Sequence, residues 1–278
     1  VTLTRRELAD LLEAHGLHPS RALGQNFVAD PNTVRRIARL AELAPGEPVV
    51  EIGAGLGSLT LALAETGAVV TAVEMDRKLL PLLRAQVESH GVHVVEADAR
   101  TVDLERLLAD APGDATGGWA LVANLPYNVA VPIVMRVLDE TPRVRRLLVM
   151  VQREVGERLA ASAGDHAYGA VSVKVAYHAS ARVVGRVPAT VFVPRPRVES
   201  VLVGMERRPA PAVDPAVVSP DRLFAVVRAG FAQRRKMLRR SLAGVVPLES
   251  FEPAGIDPQA RAEDLSVEDW GRLVACSE

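Results

Sequence analysis

Five short runs dense in valine, leucine and isoleucine recur along the first 150 residues, and each ends in a polar or glycine-rich stretch. They are 48–52 (PVVEI), 68–74 (AVVTAVE), 93–98 (HVVEAD), the run entering Asn124 (LVAN) and 145–152 (RRLLVMVQ). Their length and near-continuous apolar character predict strands buried on both faces, as in a parallel sheet. Between them apolar residues recur at helical spacing, predicting helices over 58–67, 77–89, 103–110 and 130–140, and another opens with REVGERLAA after the fifth run. Two more helices precede the first run. Thr4 with Glu7 three residues on reads as a capping box for 4–15, and Asp30 with Pro31 as the cap and first position of 31–43. Strands alternating with helices across short loops predict an α/β, doubly wound domain to about residue 207. Within it, 171–187 reads as a strand pair and SVLVGMER as a last strand.

The pattern then breaks. Residues 208–220 (RPAPAVDPAVVSP) read as a linker, 221–242 as a helix ending in a basic run, and the remainder as short helices, with Ser266 capping the last. The expected organisation is a large domain over 1–207 and a small all-α domain over 208–278.

Composition narrows the function classes. No apolar run approaches the ~18 residues of a membrane span, and the amphipathic N-terminus lacks a signal peptide's apolar centre. A lone cysteine, Cys276, excludes an internal disulfide and a cysteine-rich zinc site, which fits a cytoplasmic protein. The six histidines are scattered without ligand spacing, so no metal is expected. Net charge is only −1, yet Arg228, Arg234, Arg235, Lys236, Arg239 and Arg240 cluster with no acid between them, which leaves a basic surface open to a nucleic acid.

Chemistry gathers at the strand ends. Gly53, Gly55 and Gly57 follow the first run in a strand–loop–helix layout that suits a nucleotide. Ser58 stands where a dinucleotide loop needs its third glycine, so the loop favours close approach over cradling a pyrophosphate. Glu74 ends the second run about twenty residues on, where a carboxylate accepts from ribose hydroxyls, and Asp98 ends the third, where it can accept from an adenine amino group. The fourth run ends in Asn124-Leu125-Pro126-Tyr127. This turn offers an amide, a proline-fixed backbone and a flat ring, a set suited to holding a planar base with an exocyclic amine. An adenosine-bearing cofactor beside such a turn points to S-adenosylmethionine and amino-group methylation.

Five stretches in order, GQNF (24–27), EIGAGLGSLT, LVANLPYNVA, VFVPRPRVES and FAQRRKMLRRSL, together resemble the KsgA family of small-subunit rRNA adenine dimethyltransferases. The resemblance covers about residues 20–242 and implies a Rossmann-like methyltransferase fold. It also implies that Asn26 and Val28 line the methionine end of the cofactor under Gly53, that Glu74 and Asp98 take the ribose and the adenine, and that Asn124 holds the target amine. Tyr127 and Phe192 would stack on the two faces of the target base. Beside Phe192, Arg195 and Arg197 are placed to meet phosphates, as are Arg234, Arg235, Lys236 and Arg239 of the basic run. The family converts two adjacent adenines in a hairpin near the 3′ end of the small-subunit rRNA to dimethyladenine, so the expected partner is that rRNA in an assembly intermediate, with no membrane, and the expected state a monomer. Ala54 departs from the family's more frequent proline. The same glycine-alanine-glycine loop occurs in the sister 23S rRNA adenine methyltransferases, leaving them as the alternative target class. A non-catalytic assembly factor on the same fold is the third reading; NLPY and the QRRK stretch favour the first.

Overall fold

The computed structural model describes residues 2–20 and 22–277. The strands are β1 (Phe27–Val28), β2 (Pro48–Ile52), β3 (Val69–Glu74), β4 (His93–Glu96), β5 (Trp119–Asn124), β6 (Val144–Gln152), β7 (Ala179–Val187), β8 (Phe192–Val193) and β9 (Ser200–Arg207). Seven of them form one sheet in the order β4-β3-β2-β5-β6-β9-β7, while β1 and β8 pair antiparallel in a two-stranded ribbon. From β4 to β6 neighbouring strands are parallel. All five residues of β2 are buried, as are the first five of β5, which is why neither run alternates with polar positions. Thr4 and Glu7 close a reciprocal cap on the helix Arg5–Ala14, and the Asp30 carboxylate accepts from the Thr33 amide at 3.0 Å to start the helix Pro31–Leu40. No helix among the described residues is long and apolar enough to cross a membrane.

The chain divides into two compact units, Val1–Gly156 with Val183–Met205, and Glu157–Arg182 with Glu206–Glu278. A single break at 207 is therefore corrected, because 157–182 joins the second unit. There 170–178 is a helix, not a strand; only Ala179–Val187 is extended. Val-Ser-Val alternates like a strand, but the Ser172 hydroxyl accepts from the Gly169 amide at 3.1 Å and starts a helical turn. Burial of Val173 and Tyr177 in the second core then outweighs β propensity. Residues 208–220 are no free linker, since Val213 and Val218 join the same core. The basic helix also differs: it spans Pro220–Ala232, breaks over 233–237, and resumes only at Leu238–Ser241. The Leu238 amide donates to the Ala260 carbonyl at 2.8 Å, drawing the backbone away from a continuous helix. Arg228 and Arg239 consequently lie on separate helices, with Arg235 in the break between them.

Candidate active site

The chain leaves β2 to build β3 and β4 on one side, then returns to place β5 on the other. That reversal opens a crevice beyond the carboxyl ends of β2 and β5, where α/β sheets hold ligands. A cavity open to solvent occupies it, walled by Gly53, Gly55, Glu74, Asp98, Asn124 and Tyr127 among others. The sheet thus brings together, in one cavity, strand-end residues that lie up to half the first unit apart in sequence.

The glycine loop turns back sharply. Gly53 has φ +78°, and a Cβ there would point at the Pro126 ring 3.6 Å away and at the Asn124 carbonyl oxygen 3.9 Å away, narrowing the gap between the loop and the NLPY turn. Gly55 has φ +59°, and a Cβ would meet the Phe27 ring at 3.0 Å, closer than packed carbons lie. Glu74 is buried, and three backbone amides hold its carboxylate: Gly55 donates to Oε2 at 2.8 Å, Met75 and Asp76 to Oε1 at 2.9 and 2.8 Å. A carboxylate has about four acceptor positions, so one remains for a ligand hydroxyl. Burial pushes this carboxyl upward while the amide bonds pull it back.

Asp98 stands two residues past the end of β4 on the cavity wall, but it is not a free acceptor. Arg100 grips it in a two-pronged pair, Nη2 to Oδ2 at 2.7 Å and Nε to Oδ1 at 3.0 Å, holding its carboxyl below the usual range. Any ligand donor reaching Asp98 would share it with that guanidinium.

The segment 22–27 forms the facing wall, tied down by side chains from elsewhere. Asn124 Nδ2 donates to the Asn26 carbonyl at 2.9 Å, Gln25 Nε2 to Asp76 Oδ2 at 2.8 Å, and Asn128 Nδ2 to the Ala22 carbonyl at 3.3 Å. With its nitrogen committed to Asn26, the Asn124 amide presents Oδ1 as an acceptor. Leu125 is buried with its amide donating to the Met150 carbonyl at 3.2 Å, Pro126 lies against Gly53, and the Tyr127 ring lines the cavity.

Two expected residues fall elsewhere. Phe192 has no exposed surface and packs in the main core with Val28, Val34 and Ile37, so it presents no face to a target base. Val28 is buried in that core as well, and its neighbour Phe27 lines the cavity instead. The cause is the β1–β8 ribbon, which pairs Val28 with Phe192 and turns both inward. Gln25, Phe27 and Asn128 line the cavity from within the quoted stretches without an expected role, and Arg100 lines it from outside them.

Glu51, two residues before Gly53, is buried, takes a hydrogen bond from Thr60 Oγ1 at 2.5 Å, and is pushed up to about 8, chiefly by burial. Its folded-state pKa lies above its ordinary value of 4.5, so from about pH 4.5 to 8 the folded chain keeps a proton that the unfolded chain has lost. Stability from this group is full below that window and falls as pH rises through it. Glu51→Gln is expected to melt like the parent near pH 4.5 and above it at pH 8, by a few kcal/mol at most. Identical pH dependence of the two melting temperatures would refute this.

In the second unit Arg234 is engaged: Nε pairs with Glu263 at 2.6 Å and Nη2 donates to the His166 carbonyl at 2.6 Å. Arg235, Lys236 and Arg239 are exposed, as are Arg195 and Arg197 in the first unit.

A family model described as ribosomal RNA adenine dimethylase matches residues 18–277. A Kineococcus radiotolerans protein named ribosomal RNA small subunit methyltransferase A is 48% identical, the match covering 98% of this chain and 91% of that protein. One of the same name from Thermobifida fusca is 46% identical, over 98% and 94%. Among solved structures, the 23S rRNA methyltransferase ErmE superposes with a TM-score of 0.70 at 28% identity, over 90% of this chain and 99% of that one. A dimethyladenosine transferase from Plasmodium falciparum, at 23% identity and TM-score 0.73 over 88% and 94%, shares the fold. The full-length matches and the cavity at the sheet's switch point agree, and the chain belongs to the ribosomal RNA adenine dimethylase family.

Proposed function

We propose that this protein is the small-subunit rRNA adenine dimethyltransferase of its cell, using S-adenosylmethionine to methylate the N6 amines of two adjacent adenines near the 3′ end of that rRNA. The observation that carries the reading is the Asn124 amide, held through Nδ2 in the wall of the cavity that Glu74, Asp98 and the glycine loop also enclose. These residues fit an adenosine: Gly53 and Gly55 line the cavity with backbone alone, Glu74 keeps one acceptor for a ribose hydroxyl, and Asp98 accepts from an adenine amine. When bound, the cofactor supplies an electrophilic sulfonium methyl.

The protein's task is then mostly position and electrostatics. An adenine amine is a poor nucleophile because its lone pair is spread into the ring. Asn124 Oδ1 and the Leu125 carbonyl each accept one of its N–H groups, which favours a pyramidal nitrogen with its lone pair aimed away from both. Stacking on Tyr127 contributes about 1–3 kcal/mol, comparable to the cost of unstacking the target base. Neither acceptor needs to take the proton, which passes to water afterwards.

Labelled methyl transfer to separated, unmodified subunits tests the reading. Incorporation into small-subunit rRNA is expected. Incorporation into the large subunit instead would assign the activity for which ErmE is named, and none in either would leave a binding factor.

RNA grip is assigned to the exposed cations. Replacing Arg235, Lys236 and Arg239 together by alanine is expected to weaken subunit binding across sequences and flatten its salt dependence, by about one unit of log–log slope for each phosphate no longer neutralised. Arg234→Ala is expected to lower melting temperature instead, since that side chain serves Glu263. An unchanged slope in the triple variant would remove this surface from RNA recognition.

A further inference from the structure

Tyrosines usually bury the ring and leave the hydroxyl in water. The Tyr127 hydroxyl has a protein partner instead. Tyr127 lines the cavity and is part-buried, and its hydroxyl meets that of Ser200, which has no exposed surface. The two oxygens lie 2.7 Å apart across 73 residues of sequence. Both ends of the side chain are therefore fixed. At the backbone, the Leu125 amide donates to the Met150 carbonyl at 3.2 Å and the Val129 amide to the Pro126 carbonyl at 3.1 Å. At the tip, Ser200 opens β9, and its neighbour Glu199 accepts from the Arg153 amide at 3.0 Å. The phenol oxygen lies on the axis through Cβ and Cγ, so the Ser200 bond sets the direction in which the ring projects and leaves its plane to packing. Ser200 also follows directly on the loop that carries the exposed Arg195 and Arg197.

We infer that Ser200 is a positioning residue for methyl transfer: its buried hydroxyl holds the Tyr127 ring where a flipped adenine must stack for its amine to reach Asn124. This rests on the reading of Tyr127 as the base-facing ring. Without the bond the ring can swing about χ1, and a base stacked on it no longer arrives in one place. The cofactor side, built on Glu74 and the glycine loop, is untouched by that motion.

Tyr127→Ala, Tyr127→Phe, Ser200→Ala, the Tyr127→Phe/Ser200→Ala double variant and Ser200→Thr should be compared by single-turnover methyl transfer at saturating RNA and by S-adenosylmethionine binding. A parallel titration uses RNA carrying 2-aminopurine at the target position, whose fluorescence is quenched by stacking. Ser200→Ala and Tyr127→Phe are each expected to slow transfer about tenfold, the loss of one hydrogen bond, and to raise the fluorescence of bound 2-aminopurine. The double variant should be no slower than the slower single one. Ser200→Thr, which keeps the hydroxyl, should stay within about twofold of the parent, and cofactor affinity should be unchanged throughout. Tyr127→Phe removes the same bond from the accessible side, so the test stands even if Ser200→Ala folds poorly. Parent-like rates in Ser200→Ala and Tyr127→Phe beside a slow Tyr127→Ala would overturn the role of Ser200 alone, as would additive losses in the double variant. A parent-like Tyr127→Ala would instead overturn the base-stacking reading beneath it.

Discussion

Asn124→Ala is expected to lower methyl transfer to unmodified small subunits by about a thousandfold, while S-adenosylmethionine still binds within a few fold of the parent. Removing a fixed acceptor or donor that acts on the reacting group costs on the order of 10²–10³ in rate in comparable sites. Asn124 has a second task that raises the expectation to the upper end: its Nδ2 holds the Asn26 carbonyl at 2.9 Å, so the truncation also frees the wall of the cavity. The two contributions separate in Asn124→Asp. That variant keeps an acceptor for the amine but turns an anionic oxygen toward the Asn26 carbonyl, an unfavourable pairing. Its rate should fall between those of the parent and Asn124→Ala. Single-turnover transfer of labelled methyl, with cofactor affinity measured by calorimetry on the same samples, checks both. Turnover of Asn124→Ala within tenfold of the parent would remove the amide from the chemistry.

Much of this site is legible in the chain because parallel strands in a doubly wound sheet all deliver their carboxyl ends to one edge. Valine-rich runs ending in Gly53, Glu74 and Asn124 are strands by length and composition, and once they are parallel their last residues must meet. Expectation and structure part where local pattern and tertiary packing disagree. Val171 to Val175 alternates as a strand would, yet the Ser172 cap and the second core make it helical. The run from Arg228 to Arg240 counts as one helix by period, yet its middle turns to satisfy Ala260 and Glu263, partners more than twenty residues downstream. Phe192 and Val28 are placed by resemblance on the site. Their backbones pair in a ribbon that no periodicity announces, and both side chains turn to the core. Arg100 is a further case: a cation two residues from Asp98 is visible in the sequence, but whether it faces the acid or solvent is settled by the turn between them.

Glu74 carries the second large expectation, on cofactor affinity. Its carboxylate joins three parts of the site at once, the Gly55 amide of the glycine loop and the Met75 and Asp76 amides that lead into the next helix. Glu74→Ala leaves the buried Gly55 amide and the part-buried Met75 and Asp76 amides without their partner and removes the acceptor offered to a ribose hydroxyl. A buried donor left unsatisfied costs roughly 1–3 kcal/mol, and with the ribose acceptor also gone S-adenosylmethionine binding should fall by about a hundredfold and melting temperature should drop with it. A damaged fold and a missing ribose acceptor are told apart by Glu74→Gln. A glutamine can give its carbonyl oxygen to Met75 and Asp76, which places its amide nitrogen against the Gly55 N–H, donor to donor; the opposite orientation sets it against two. The better orientation loses one bond and the acceptor for the ribose while the turn into the helix remains. Glu74→Gln is therefore expected to melt between the parent and Glu74→Ala yet bind both S-adenosylmethionine and its demethylated product about ten- to a hundredfold more weakly, since that hydrogen bond is the same before and after transfer. The rate at saturating cofactor should change far less than in Asn124→Ala, because an interaction with the ribose does not change as the methyl moves. Calorimetric binding of both ligands within twofold of the parent would show that the three amides, and not the cofactor, are all that Glu74 serves.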